Sequence, residues 1–180
     1  MGNNAALGFA DIDKDGDLDA FVGSRFGTIQ YFQNTNGSFT EQTGAANPFN
    51  GVSVGTESTP SFADIDKDGD LDAFVGTGSG AIEYFQNTNG SFTRLVGTAN
   101  PFNGVFVGFN SVPSFADLDS DGDLDAFIGV ANGAIKNFQN TNGSFTQILN
   151  QTNPFKSLNL GSNSFPSFID INKDGDLDAF

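Results

Sequence analysis

Nineteen aspartates hold most of the chemistry available to this 180-residue chain, and all of them fall in four short stretches. "DIDKDGDLDAFVG" begins at Asp11 and again at Asp64, "DLDSDGDLDAFIG" at Asp117, and "DINKDGDLDAF" at Asp170. The first stretch places five carboxylates between Asp11 and Asp19. Two unit charges about 4 Å apart repel by roughly 4 kcal/mol at an effective dielectric of 20, so such a turn calls for a positive partner. The pattern is D-x-D-x-D-G-D-x-D. Alternate side chains at loop positions 1, 3 and 5 can converge on one point if the backbone turns sharply, and glycine at position 6 permits that turn. Position 7 then offers its carbonyl and position 9 another carboxylate. A hard cation that takes six to eight oxygens, calcium, suits this donor set better than magnesium, which prefers a near-octahedral shell and keeps its waters. The helix-flanked EF-hand loop shares the first six positions but needs Glu at position 12, where this chain has Val22, Val75 and Ile128. A solvated acidic turn would account for one such loop, but four copies at a fixed period point to one bound calcium ion per loop, up to four.

The starts at 11, 64, 117 and 170 define a repeat of 53 residues. Fixed-period repeats decide architecture more firmly than local propensity does. One unit, residues 60–112, predicts four short strands: Ser61–Ile65, Leu71–Gly76, Ile82–Gln86 and Ser91–Val96. The acidic loop joins the first two strands. "GTGSGA" joins the next two, and an Asn-Gly hairpin turn in "NTNG" joins the last two. The leading Pro60 suits the start of a strand. "AFVG" and "AIEYF" are almost continuously apolar, so the second and third strands are expected to be buried on both faces. Four-stranded antiparallel units buried on both sides and repeated predict an all-β fold of β-propeller blades. A β-solenoid is the alternative, with shorter coils and no hairpin turn in each unit. Most of the 21 Phe then fill the space between blades. Units are expected at 7–59, 60–112 and 113–165, with the first two strands of a fourth at 166–180. An arc of three and a half blades does not close. The chain therefore reads as a fragment of a longer protein, with open edges that invite self-association.

These loops resemble those of FG-GAP and VCBS repeats, found in integrin α-subunit propellers and in large secreted or surface bacterial proteins. "PSFADIDKDGDLDAFVG" and "YFQNTNGSF" are similar to the bacterial units, and the resemblance covers essentially the whole chain. It implies a calcium-binding propeller with a role in adhesion or ligand recognition. It also implies ligands at positions 1, 3, 5 and 9 and the carbonyl of position 7. These are Asp11, Asp13, Asp15, Asp17 and Asp19; Asp64, Asp66, Asp68, Asp70 and Asp72; Asp117, Asp119, Asp121, Asp123 and Asp125; and Asp170, Asn172, Asp174, Asp176 and Asp178. Asn172 departs from the pattern, keeping an oxygen donor but removing one charge.

The charge balance of −15 comes from these loops and disfavours nucleic acid and anionic membranes as partners. No run of 18 apolar residues is present, so no membrane insertion is expected. The chain contains no His and no Cys, and its aspartates are accounted for as metal ligands, so it is not expected to be an enzyme. A calcium-stabilised recognition module, a structural spacer of a large surface protein and an accessory domain of a secreted enzyme all fit. A recognition face should vary where the scaffold repeats. The turns "GSRFGT", "GTGSGA" and "GVANGA" vary, as do the long connections. Arg25, Phe26, Phe106 and Phe109 lie in them and are the candidates for contacting a protein or glycan ligand. Weak loops of this kind suit extracellular calcium, so a secreted or cell-surface location is expected.

Overall fold

The computed structural model describes residues 5–149, 153–158 and 160–180. Among them are three four-stranded antiparallel sheets and one two-stranded sheet. The first blade runs β1 (Ala6–Ala10), β2 (Asp19–Gly23), β3 (Ile29–Thr35) and β4 (Ser38–Gln42). The second runs β5 (Thr59–Ala63), β6 (Asp72–Gly76), β7 (Ile82–Thr88) and β8 (Ser91–Leu95). The third runs β9 (Val112–Ala116), β10 (Asp125–Gly129), β11 (Ile135–Thr141) and β12 (Ser144–Ile148), and β13 (Phe168–Ile169) with β14 (Asp178–Ala179) starts a fourth. Each sheet is a meander in sequence order. The first strands β1, β5, β9 and β13 are neighbours in succession, so the blades fan out from one side as an open arc.

The central strands explain why the blades stack. Every residue of β6 and β10 is buried, as expected for "DAFVG" and "DAFIG". In β2, Val22 is only half-buried, because among the described residues no blade covers that face. The third strands depart from expectation: in β7, Glu83 and Gln86 are only half-buried, so this strand is not sealed on both faces. Phe21, Phe49 and Tyr31 of the first blade pack with Ala73, Val75 and Phe85 of the second. One repeat on, Phe74, Phe102 and Tyr84 pack with Ala126, Ile128 and Phe138. The join is tight enough to exclude a methyl group. A Cβ added at Gly76 would lie 2.0 Å from the carbonyl oxygen of Ser111, in the connection that leads into β9. Ser111 also stitches this seam, since its hydroxyl accepts the Thr77 N–H at 2.8 Å.

Strand limits differ from the sequence reading in an instructive way. β5 begins and ends two residues earlier than expected, because Asp64 and Ile65 already belong to the acidic turn. The Asp64 carboxylate takes the Gly69 N–H, and Ile65 drops into the core shared with the next blade. β7 runs on to Thr88, which pairs directly with Ser91. A two-residue Asn89-Gly90 turn remains, with φ of +53° and +84°, the left-handed pair that a tight hairpin requires.

Candidate metal-binding loops

Each acidic loop is wound around its own carboxylates. In the first, Asp11 accepts the N–H groups of Asp15 (3.1 Å) and Gly16 (2.9 Å), and Asp15 accepts that of Asp17 (2.9 Å). Asp68→Asp70, Asp121→Asp123 and Asp174→Asp176 repeat the last contact at 2.8, 2.8 and 3.0 Å, the aspartate named first accepting. Two left-handed residues produce the winding. Gly16 at position 6 has φ +95°, as the sequence suggests, and Lys14 at position 4 has φ +60°. Lys67, Ser120 and Lys173 repeat the second feature. A non-glycine residue in that region is uncommon, and four in register show that the turn is imposed by the loop as a whole.

The winding brings positions 1, 3 and 5 together. Asp11, Asp13 and Asp15 each offer an oxygen within 4.8 Å of the others, as do Asp64, Asp66, Asp68 and Asp117, Asp119, Asp121. In the second and third loops, the Oδ1 atoms of Asp64 and Asp117 are buried without a hydrogen-bond partner. A buried carboxylate oxygen without a donor costs several kcal/mol by order of magnitude, so its presence in two successive loops needs a reason. A cation held by the triad supplies one: these residues are the right donors for calcium, whose two positive charges would offset two of the three mutually repelling negative ones. The fourth loop keeps the same turn, with Asp170 accepting from Asp174 and Gly175. There the Asn172 amide donates to Asp174 at 2.9 Å, a bond the aspartates of the other loops cannot make.

Positions 7 and 9 have a second task that the sequence reading did not assign. At position 9, Asp19 accepts from the Tyr31 hydroxyl (3.0 Å) and the Asn34 N–H (2.8 Å). Asp72 does the same with Tyr84 (2.7 Å) and Asn87 (2.8 Å). Both carboxylates are fully buried and tie the start of the second strand to the third. Each carboxylate oxygen has two acceptor sites, so these bonds leave capacity toward a cation. Asp125 accepts from Asn140, but Asn137 stands where Tyr31 and Tyr84 stand, and its Oδ1 is buried without a partner. In the fourth unit, Asp178 accepts from the Ile171 N–H at 3.2 Å.

At position 7, Asp17, Asp70 and Asp123 accept from the hairpin residues Asn36, Asn89 and Asn142 at 2.6, 2.7 and 2.8 Å. The other oxygen reaches across the seam. Lys14 meets Asp70 at 2.8 Å and Lys67 meets Asp123 at 2.7 Å, so position 4 of one loop is ion-paired to position 7 of the next. Lys14 first and the Asn89 N–H second hold Asp70 below the usual carboxylate range, and at Asp123 the Asn142 N–H does so first and Lys67 second. Ser120 stands at position 4 of the third loop, so Asp176 receives no such lysine. Gln33, Gln86 and Gln139 complete the set by donating to position 3 of their own loops. The sequence contained the signal for these residues, a Lys at position 4 and a Gln-Asn pair before each hairpin turn. Their meaning depends on which strands are adjacent.

Burial pushes the carboxyls of Asp72 and Asp125 up to about 6, despite the N–H groups that favour their charged forms. An acid whose folded pKa lies above its unfolded value of about 3.9 binds more protons in the folded state. Its favourable contribution is present at low pH and is lost as pH rises from about 4 through about 6. In chelator, therefore, the melting temperature should rise when the pH is lowered from 7.5 to 5. Thermal melts in EGTA check this, and a melting temperature that falls over that interval would contradict the burial of Asp72 and Asp125.

The four variable-loop candidates do not form one cluster. Phe106 and Phe109 stack edge to face at 5.3 Å, and both are about two-thirds exposed. Arg25 lies 3.8 Å from Glu57 in the adjoining connection. Phe26 is exposed and makes no ring contact among the described residues. The turn and the connection that carry these residues are joined by backbone bonds, Val54 N–H to Gly27 and Glu57 N–H to Arg25, so they do share one rim.

A family model described as FG-GAP-like repeat matches the chain three times, over residues 11–75, 64–128 and 117–180. Each match runs from one acidic loop into the strand after the next, spanning the seam between consecutive blades. No curated protein matched the chain.

Proposed function

From a chain that belongs to the FG-GAP-like repeat family, we propose a calcium-stabilised recognition module that works outside the cell. The observation that supports the calcium part is the pair of buried, partnerless oxygens on Asp64 and Asp117, each within a triad of converging aspartates. Asp11, Asp13 and Asp15 and their repeat equivalents would hold the ion, with Asp170, Asn172 and Asp174 in the fourth loop. Bound calcium supplies positive charge; the hairpin ties hold each of the first three loops to its own blade, and the lysine pairs hold the first two loops to the next blade. Asn172 lowers the negative charge of its loop by one, and affinity in such loops follows ligand charge, so the fourth loop binds most weakly.

The extracellular setting follows from the expected strength of binding. Loops of this kind in extracellular modules bind at about 10⁻⁴–10⁻³ M, which matches calcium outside cells. Among the described residues no helix is long and apolar enough to cross a membrane. The recognition part rests on the rim where Phe106 and Phe109 stand exposed in one repeat only. Ser53 and Thr56 occupy their places one unit earlier. A glycan array probed in calcium should give signal that Phe106→Ala removes while calcium binding stays intact. An array signal indifferent to Phe106 and Phe109 would move recognition off this rim, and silence against glycans and extracellular proteins alike would favour the spacer role.

A further inference from the structure

Asparagine followed by glycine occurs six times in the chain, at Asn36, Asn50, Asn89, Asn103, Asn132 and Asn142. Such a pair can react with itself. The glycine backbone nitrogen, once deprotonated, can attack the asparagine Cγ, because glycine carries no side chain to block the approach. The structure divides the six pairs by what that nitrogen is doing. In the three hairpins that join the last two strands of a blade, the N–H groups of Gly37, Gly90 and Gly143 donate to the Oδ1 atoms of Asn34, Asn87 and Asn140 at 2.9, 2.8 and 2.8 Å. The Gly133 N–H donates to the Val130 carbonyl at 3.0 Å, and the Asn132 Oδ1 is held by the Ala134 N–H at 3.2 Å. Gly51 and Gly104 differ. Each is the third residue of a turn closed by the residue after it, Val52 to Phe49 at 3.0 Å and Val105 to Phe102 at 3.1 Å. Their φ values of +77° and +74° are those of a type II turn, which makes no use of the third residue's N–H. Among the described residues, neither glycine N–H has a hydrogen-bond partner, and neither has the side chain of Asn50 or Asn103. All four residues are exposed.

We propose that Asn50 and Asn103 are sites of spontaneous deamidation, and that the other four pairs are protected by the bond on the glycine nitrogen. Solvent base takes the N–H proton and the bond from the glycine nitrogen to Cγ forms. The bond from Cγ to Nδ2 breaks, and Nδ2 takes a proton from solvent and leaves as ammonia. Water then opens the cyclic imide at one carbonyl or the other, leaving aspartate or isoaspartate. The net change is amide plus water to carboxylate plus ammonium, with no oxidant and no second reactant. Each event adds one negative charge to a chain already at −15. At Asn103 that charge lands in a cavity of about 400 Å³ that Phe106, Arg94 and Glu83 also line, so the rim of the second unit turns more acidic with age. Lys156 and Ser157 stand at the equivalent turn of the third unit, which lacks this chemistry. The proposal rests neither on calcium binding nor on the recognition role.

The test is a time course of the unaltered chain, kept warm in mildly alkaline buffer with calcium while circular dichroism shows that it stays folded. Proteolysis and mass spectrometry then read the six peptides. Asn50 and Asn103 should convert at least about tenfold faster than the other four, because a bonded N–H reacts only when its turn opens. Isoelectric focusing should show new acidic species growing at the same rate. The same incubation in denaturant should remove the difference among the six. The double variant Asn50→Gln, Asn103→Gln should suppress the acidic species with circular dichroism unchanged, since the longer side chain closes a larger and slower ring. Conversion of Asn50 and Asn103 no faster than that of Asn36, Asn89, Asn132 and Asn142 in the folded chain would overturn the proposal. So would an equal lead for the same two in denaturant, because local sequence rather than the turn would then set the rates.

Discussion

Stripping calcium with EGTA should lower the melting temperature of this chain by about 10–30 °C relative to 10 mM calcium. The size follows from mass action. A site with a dissociation constant of about 10⁻⁴–10⁻³ M, held only by the folded chain, contributes about 1.4–2.7 kcal/mol at that concentration. Three complete loops sum to about 4–8 kcal/mol, and a domain of this size shifts by about 2–4 °C per kcal/mol. The structural reason is that each triad keeps three carboxylates within 4.8 Å, at a turn joining the first two strands of a blade. Without a cation the turn is pushed open, and the Lys14–Asp70 and Lys67–Asp123 pairs across the seams lose their alignment. Magnesium at the same concentration should restore only part of the shift. A melting curve unchanged by EGTA would contradict this.

The second large effect separates the aspartates that hold the blade from those that hold the ion. Asp72→Ala should cost about 3 kcal/mol even in EGTA, because it strips a charged acceptor from two buried donors. The Tyr84 hydroxyl and the Asn87 N–H lose their partner inside the blade. Part of that cost is offset by relief of the burial that raises the Asp72 carboxyl to about 6. Asp66→Ala should behave in the opposite way. Asp66 is exposed, and its bonds are to Gln86 and the Asp68 N–H. Its removal in EGTA should change stability by less than about 1 kcal/mol, as for exposed groups generally. In calcium the same variant should lose the share of the melting shift that comes from the second loop. Denaturant titrations with and without EGTA read both numbers. Equal losses for the two variants in EGTA would mean that positions 3 and 9 are not divided in this way.

How far the sequence could be read differs by residue. The 53-residue period, the four-strand unit and the D-x-D-x-D-G pattern are all local, and local patterns survive translation into structure. β6 and β10 could be recognised because "DAFVG" and "DAFIG" have no polar face after the aspartate. Convergence of positions 1, 3 and 5 followed from alternation plus a glycine. The double employment of Asp17, Asp19, Asp70 and Asp72 could not be read in the same way. An aspartate is equally an acceptor for an N–H and a ligand for a metal. Its choice depends on a tyrosine 12 residues away and a backbone N–H 15 or 19 residues away, in register across a hairpin. The lysine pairs lie further still, across a seam whose geometry only the packed blades define. Ile65 illustrates the limit from the other side: it continues an apolar strand pattern, yet the carboxylate before it has already ended the strand. The replacement of Tyr84 by Asn137 one repeat on was visible in the sequence, but its consequence, a buried oxygen with no donor, depends on burial.

The most direct measurement is anomalous diffraction from crystals grown in calcium, with data collected where calcium scatters anomalously and the protein's light atoms scarcely do. The account predicts one anomalous peak in each of the first three loops, about 2.3–2.6 Å from carboxylate oxygens of Asp11, Asp13 and Asp15, of Asp64, Asp66 and Asp68, and of Asp117, Asp119 and Asp121. The fourth peak, beside Asn172, should be the weakest. Loops that keep this winding with no anomalous peak inside them, or peaks held only through water at the surface, would contradict it.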